Sequence, residues 1–171
     1  MQLNSTAFQH IETIPVRHSQ QGENLSPPLM WSDLPTGTVS LAILCEDPDA
    51  PLEPGREDPF VHWLLYNLPA DTGMLPEGLP TNARLTEPVR CQQGLNSRGE
   101  YGYMGPHPPA GHGMHRYIFR LYALRKFLVM PVEARRANFY NEIDGAVLGT
   151  AELIGTFETA AMAGESTFPA A

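Results

Sequence analysis

Charge is what this chain has least of. Charged residues make up 18% of the sequence, below the roughly 25% usual in globular chains, and that argues against a chain held open by its own charge. Lysine and arginine number 11 against 19 aspartates and glutamates, a net charge of −8 and a pI near 5.1. The basic residues form no run. The clustered positive surface that a nucleic-acid backbone requires is therefore missing, and nucleic acid is not an expected partner. A broad attraction to anionic membranes is disfavoured for the same reason. Long apolar runs are missing too. No segment approaches the roughly 18–20 apolar residues of a membrane span, so the chain is not expected to span a membrane. The start, MQLNSTAFQHIETIPV, lacks the basic opening and apolar stretch of a secretory signal, which makes the cytoplasm the expected compartment. Cysteine is nearly absent. Cys45 and Cys91 form no metal or redox motif, and Cys45, inside an apolar run, is expected as a buried thiol.

What the chain does have is apolar residues and backbone punctuation. Hydrophobic residues reach 42%, enough for a core, and 15 glycines and 17 prolines lie scattered between apolar runs. That pattern implies many turns and ordered loops around short strands. A length of 171 residues suits one domain, expected over 1–162, with 163–171 as a flexible tail. Residues 38–45 (TVSLAILC), 61–68 (VHWLLYNL) and 115–124 (HRYIFRLYAL) read as strands. In the third, His115, Tyr117, Phe119, Leu121 and Ala123 share one face by period two. Both faces carry apolar residues, as in a central strand. Between 132 and 148, Phe139, Ile143, Ala146 and Val147 recur at helical spacing, with Gly149 as the expected stop. Residues 151–157 read as a last strand. These elements predict a mainly β domain, a β-sandwich with a small helical addition.

Three clusters carry candidate chemistry. The first, Glu46-Asp47-Pro48-Asp49-Ala50-Pro51, follows a strand directly and is stiffened by two prolines, so its carboxylates are held near a sheet end. The second, His62-Trp63, opens a strand, with Trp63 expected in the core on the opposite side. The third, 103–117, contains His107, His112 and His115 among prolines and glycines. A plain connector needs less conformational punctuation, and rigid loops are where binding groups sit. The 107/112/115 spacing is not a zinc pattern, and no metal or cofactor is expected.

DPDAP at 47–51, HWLLYN at 62–67 and GPHPPAGHGMHRY at 105–117 resemble the signature segments of the phosphatidylethanolamine-binding protein family, most closely its bacterial Raf-kinase-inhibitor-like branch. GENLSPPLMWSDLP at 22–35 and LGTAELIGTF at 148–157 extend the resemblance over nearly the whole chain, in the family's order. The resemblance implies a Greek-key β-sandwich with a short helical C-terminal part. It also implies a pocket for small anions, namely phosphate, phospholipid head groups or carboxylates. By motif position, Asp47, His62, His115 and Tyr117 fall on the pocket, with Gly105, Pro106, His107 and Pro108 at the rim. Asp49, Arg116 and Tyr103 are supporting residues, the first two as a pair. Bacterial relatives imply a homodimer. The chain departs from the branch at His107, where a cysteine is usual, at Ser19-Gln20-Gln21-Gly22, where a Thr-Cys-Asp-Gly segment is usual, and at Met104, where glycine is usual. Met104 is expected to narrow the entrance.

A phosphate monoester needs hydrogen-bond donors. His62 and His115 can each donate from a ring nitrogen and gain charge near the ordinary histidine pKa of about 6.5. Asp47 is expected to act through one of these imidazoles, and Tyr117 to add a hydroxyl. Anion affinity should then rise as pH falls from about 8 to 6. The reading is of a non-enzymatic binding protein with a regulatory role open to it. Two others stand beside it. Asp47, His62 and His115 form a set able to hold a metal or to serve acid/base hydrolysis, although neither Ser97 nor Cys91 has the context of a nucleophile. An acidic rim of Glu46, Asp49, Glu53, Glu57 and Asp58, broken by Arg56, would suit a basic partner of a kinase-inhibitor-like interaction module, a role that does not transfer by fold alone.

Overall fold

The structure is a computed structural model and describes residues 1–51 and 57–160. The expected tail at 163–171 lies outside the described residues. Along the chain run β1 (Gln2–Asn4), β2 (Glu12–Thr13), β3 (Leu29–Ser32), β4 (Ser40–Asp47), β5 (Phe60–Pro69), β6 (Met74–Leu75), β7 (Arg84–Leu85), β8 (Cys91–Gln93), β9 (His115–Leu124), α1 (Arg136–Ile143) and β10 (Val147–Phe157). A large sheet has the order β2-β10-β9-β4-β5-β8-β7, and a small one the order β1-β3-β6.

Period-two alternation explains the layers. On β4, Leu41, Ile43 and Cys45 join β9's Phe119, Leu121 and Ala123 in one buried cluster with Leu3, Leu29 and Trp31 of the small sheet. Ala42 and Leu44 point the other way and meet Tyr122, Leu124, Phe139 and Ile143. The large sheet is thus covered by the small sheet on one face and by α1 on the other. Burial on both faces is why 40–47 and 115–124 are apolar on successive residues. The chain leaves β5 for β8 and then returns to lay β9 on the far side of β4, the crossing that a Greek key requires.

The helix is shorter than its periodicity predicts. It ends at Ile143, and Gly145 follows at φ +66°, a conformation that glycine adopts without strain. Val147 already belongs to β10, and the expected stop, Gly149, sits inside that strand. Phe139 and Ile143 anchor the helix, whereas the burial of Ala146 comes from the turn between helix and strand.

β4 is antiparallel to both neighbours, β5 and β9. Its last residue, Asp47, therefore lies at the same end of the sheet as the first residues of β5 and β9. This places Asp47, His62, His115 and Tyr117 together.

Candidate functional site

A bulge sets the direction of His62. Cys45 pairs with Trp63 and Glu46 with Val61, so His62 is the extra residue on β5. A bulge lets consecutive side chains break the alternation of the strand. Trp63 packs among Tyr103 and Phe119 on the small-sheet face. His62 contacts the Tyr117 ring of that same face, at 5.0 Å between centroids. Trp63 is core, as expected, but it is not on the opposite side from His62. Strict alternation fails at this residue.

Asp47 is 3% exposed and fully engaged. Its Oδ1 accepts the Asp49 N–H at 2.8 Å, and its Oδ2 accepts His115 Nδ1–H at 2.8 Å. Burial, with the Asp47 carboxylate beside it, pushes the Tyr117 phenol pKa up. On the other side of His115, Nε2 lies 2.7 Å from Nδ1 of the exposed His112. A hydrogen-bonded line therefore runs from a buried carboxylate through two imidazoles to the surface. Asp47 bonds to His115, one of the two imidazoles through which the sequence expects it to act.

His62 behaves differently. Its Nδ1 lies 2.7 Å from the Met104 carbonyl oxygen, which only accepts, so Nδ1 carries the proton. Nε2 then holds a lone pair, 4.0 Å from Asp47 Oδ2. Burial lowers the His62 pKa to about 4, against which the Met104 carbonyl and Asp47 are not enough. Near neutral pH this ring is uncharged. The expectation that His62 gains charge between pH 8 and 6 is thereby corrected: a desolvated ring with a single carbonyl partner stays neutral.

A cleft of about 180 Å³ opens above these groups. Asp47, His62, His115, Tyr117, His107 and Pro108 line it, together with Met104 and residues the motifs did not single out: Gln20, Phe60, Arg98 and Pro109. Met104 stands in the wall. The other expected rim residues stand behind it. Gly105 donates its N–H to Asn24 Oδ1 at 2.8 Å and accepts from Gln20 Nε2 at 2.8 Å. A Cβ on Gly105 would lie 2.2 Å from the His18 carbonyl oxygen, so only glycine fits there. Pro106 is buried and accepts the Gln20 N–H. Tyr103 donates its hydroxyl to the His18 carbonyl at 2.8 Å and stacks in the core. Gly105, Pro106 and Tyr103 hold the wall without lining the cleft.

Asp49 and Arg116 pair through both guanidinium faces, Nε and NH2, at 2.8 Å each, and the Arg116 backbone N–H adds a third bond at 2.9 Å. The guanidinium holds the Asp49 carboxyl below its ordinary range. This clamp ties the loop after β4 to the start of β9. The acidic-rim expectation needs correction at Glu46. That residue faces α1, where it accepts from Arg136 Nε at 2.6 Å and lies 3.8 Å from Arg120. Even-numbered positions of β4 point to the helix side. Asp58 pairs with Arg136 at 2.8 Å. Glu53 and Arg56 lie outside the described residues. Both cysteines are buried thiols, and burial pushes Cys91 up to about 12.

Among the described residues no cluster of three or more His, Cys, Asp or Glu could hold a metal ion. Nδ1 of His115 is engaged by Asp47 and Nδ1 of His62 by the Met104 carbonyl. No helix among the described residues is long and apolar enough to cross a membrane.

The architecture recurs in solved structures. CT736 of Chlamydia trachomatis, described as a phosphatidylethanolamine-binding protein homologue, is 38% identical with a TM-score of 0.82, over 92% of this chain and 97% of that one. YbcL of Escherichia coli, described as a member of the mammalian PEBP family, is 30% identical with a TM-score of 0.81 over the same shares. A UPF0098 protein of Methanothermobacter thermautotrophicus is 42% identical over 157 residues, 92% of this chain and 98% of its own length. The family model described as phosphatidylethanolamine-binding protein matches residues 4–158. This chain therefore belongs to the phosphatidylethanolamine-binding protein family.

Proposed function

We propose that this chain is a non-enzymatic binding protein that takes a small anionic ligand, a phosphate monoester, head group or carboxylate, in the cleft at the end of β4. The observation that carries this reading is Arg98. It lines the cleft mouth, its guanidinium stands 5.9 Å from the Phe60 ring centroid, and it is in none of the ion pairs among the described residues. A cation with no carboxylate partner among the described residues, beside a cleft of about 180 Å³, is the group that would meet an anion. Against turnover, the described lining contains no serine, threonine, cysteine or lysine. Its one hydroxyl, on Tyr117, has a raised pKa. Calorimetric titration with phosphate, phosphoethanolamine and acetate tests the reading. Saturable binding of at least one is expected, weakened about fivefold in Arg98→Ala. No binding of any of the three would end it.

A further inference from the structure

The floor of the cleft is short of donors. Nδ1 of His62 is fixed as a donor to the Met104 carbonyl, and in the neutral ring its Nε2 is an acceptor. Four ångströms away, Asp47 Oδ2 already accepts from His115 and faces Nε2 as a second acceptor. The other groups around His62 leave this balance unchanged. Tyr117 from β9 has its hydroxyl beside the Asp47 carboxylate, Phe60 on β5 presents a ring at 4.9 Å, and His115 is engaged at both nitrogens. Positive or titratable groups, Arg98 and His107, line the cleft with Pro108 and Pro109. A fully ionised phosphate offers acceptors only, and pressed against this floor it would oppose lone pair to lone pair.

We propose that His62 reads a proton on the ligand: Nε2 accepts a hydrogen bond from the P–OH of a phosphate monoester bound as its monoanion, with the charged oxygens turned to Arg98. This rests on the anion-binding reading above and narrows it. Of the phosphate esters and carboxylates considered, the monoester monoanion combines a donor and a negative charge, as inorganic phosphate does. A diester has the charge without the donor, and a carboxylate likewise. His62 stays neutral down to about pH 4, so the acceptor persists across the range in which the ligand gains its proton.

The probes are methyl phosphate, dimethyl phosphate and ethylammonium, titrated into the wild-type protein by calorimetry at pH 7.5 and 5.5. A second ionisation near pH 6 makes the monoanion fraction about 25 times larger at pH 5.5. Methyl phosphate affinity should rise by about that factor while dimethyl phosphate binding stays flat. An equal rise for both esters would place the proton on the protein's imidazoles and overturn the proposal. So would methyl phosphate binding that is flat with pH, or ethylammonium binding as tight as methyl phosphate. Binding of dimethyl phosphate alone would sink the inference and leave the anion reading standing; binding of no ester would end both. Independently of any ligand, the 15N shift of His62 Nε2 at pH 7 should be that of an unprotonated ring nitrogen, and a protonated-type shift would overturn the proposal. His62→Phe, if its circular dichroism matches wild type, should lose the pH-dependent gain for methyl phosphate, and retention of that gain would count against it.

Discussion

His62 shows how far a residue's identity runs ahead of its role. The motif HWLLYN marks it as a pocket residue, and it does line the cleft. Its chemistry follows from the Met104 carbonyl and from burial, neither of which a one-dimensional pattern carries. The same burial predicts an acid sensitivity. The folded-state pKa is about 4 against an ordinary value of 6.5, so below pH 6.5 the unfolded chain binds the extra proton first. His62 therefore contributes stability that is present above pH 6.5 and is lost as pH falls through about 4, on the order of 3 kcal/mol in all. Urea unfolding at pH 7 and pH 4 should show His62→Gln losing less stability on acidification than wild type, and equal losses would refute the linkage. Gly105 makes a second case. A Cβ there would meet the His18 carbonyl at 2.2 Å, and backbone cannot yield as a side-chain tip can. Gly105→Ala should cost about 2 kcal/mol or more, read as a lowered thermal midpoint; an unchanged midpoint would show that the wall of the cleft moves freely.

The long strands β4, β5 and β9 were legible because they are largely buried on both faces, and 115–124 coincides with β9 to the residue. β1, β2, β3, β6, β7 and β8 run to four residues or fewer, too short for a period to register. Alternation was also blind to the bulge at His62, which only the pairing with β4 reveals. Helical spacing overran α1 because Ala146 and Val147 fit the period by chance, while Gly145 at φ +66° ends the helix. What fastens that short helix to the sheet was misplaced altogether. Glu46, expected at an acidic rim, is 6% exposed and joins β4 to α1 through Arg136, with Arg120 and the Tyr140 hydroxyl at its other oxygen. Glu46→Ala should leave two half-buried guanidinium groups short of a partner and cost about 2 kcal/mol. Glu46→Ala and Arg136→Ala together should cost less than the sum of the single changes in chemical unfolding, since they share one interaction. Additive losses would show that the pair contributes nothing. Phosphate affinity should not change in either variant, because the network lies on the face of the sheet away from the cleft.

A net charge of −8 surrounds a cleft proposed to take anions. The two facts fit only if attraction is local, and the arrangement of charges allows this. Asp47 is engaged by two hydrogen bonds, to Asp49 N–H and His115. Asp49 is matched by Arg116 and Glu46 by Arg136. Arg98 then stands at the mouth without a carboxylate among the described residues. The family could be read from five ordered segments, but Arg98 could not, since it belongs to none of them and matters only through what surrounds it. An approaching anion meets the whole field before it meets Arg98. At about 10 mM salt the screening length is about 30 Å, long enough for the full negative charge to act, and at 150 mM it is about 8 Å, which leaves mainly the nearest groups. Association of a phosphate monoester should therefore speed up, by roughly twofold, as salt rises over that range. A basic docking surface would give the opposite dependence. Stopped-flow rates at several ionic strengths decide between them, and a severalfold slowing with salt would mean that the cleft draws its ligand through a positive surface the charge arrangement does not contain.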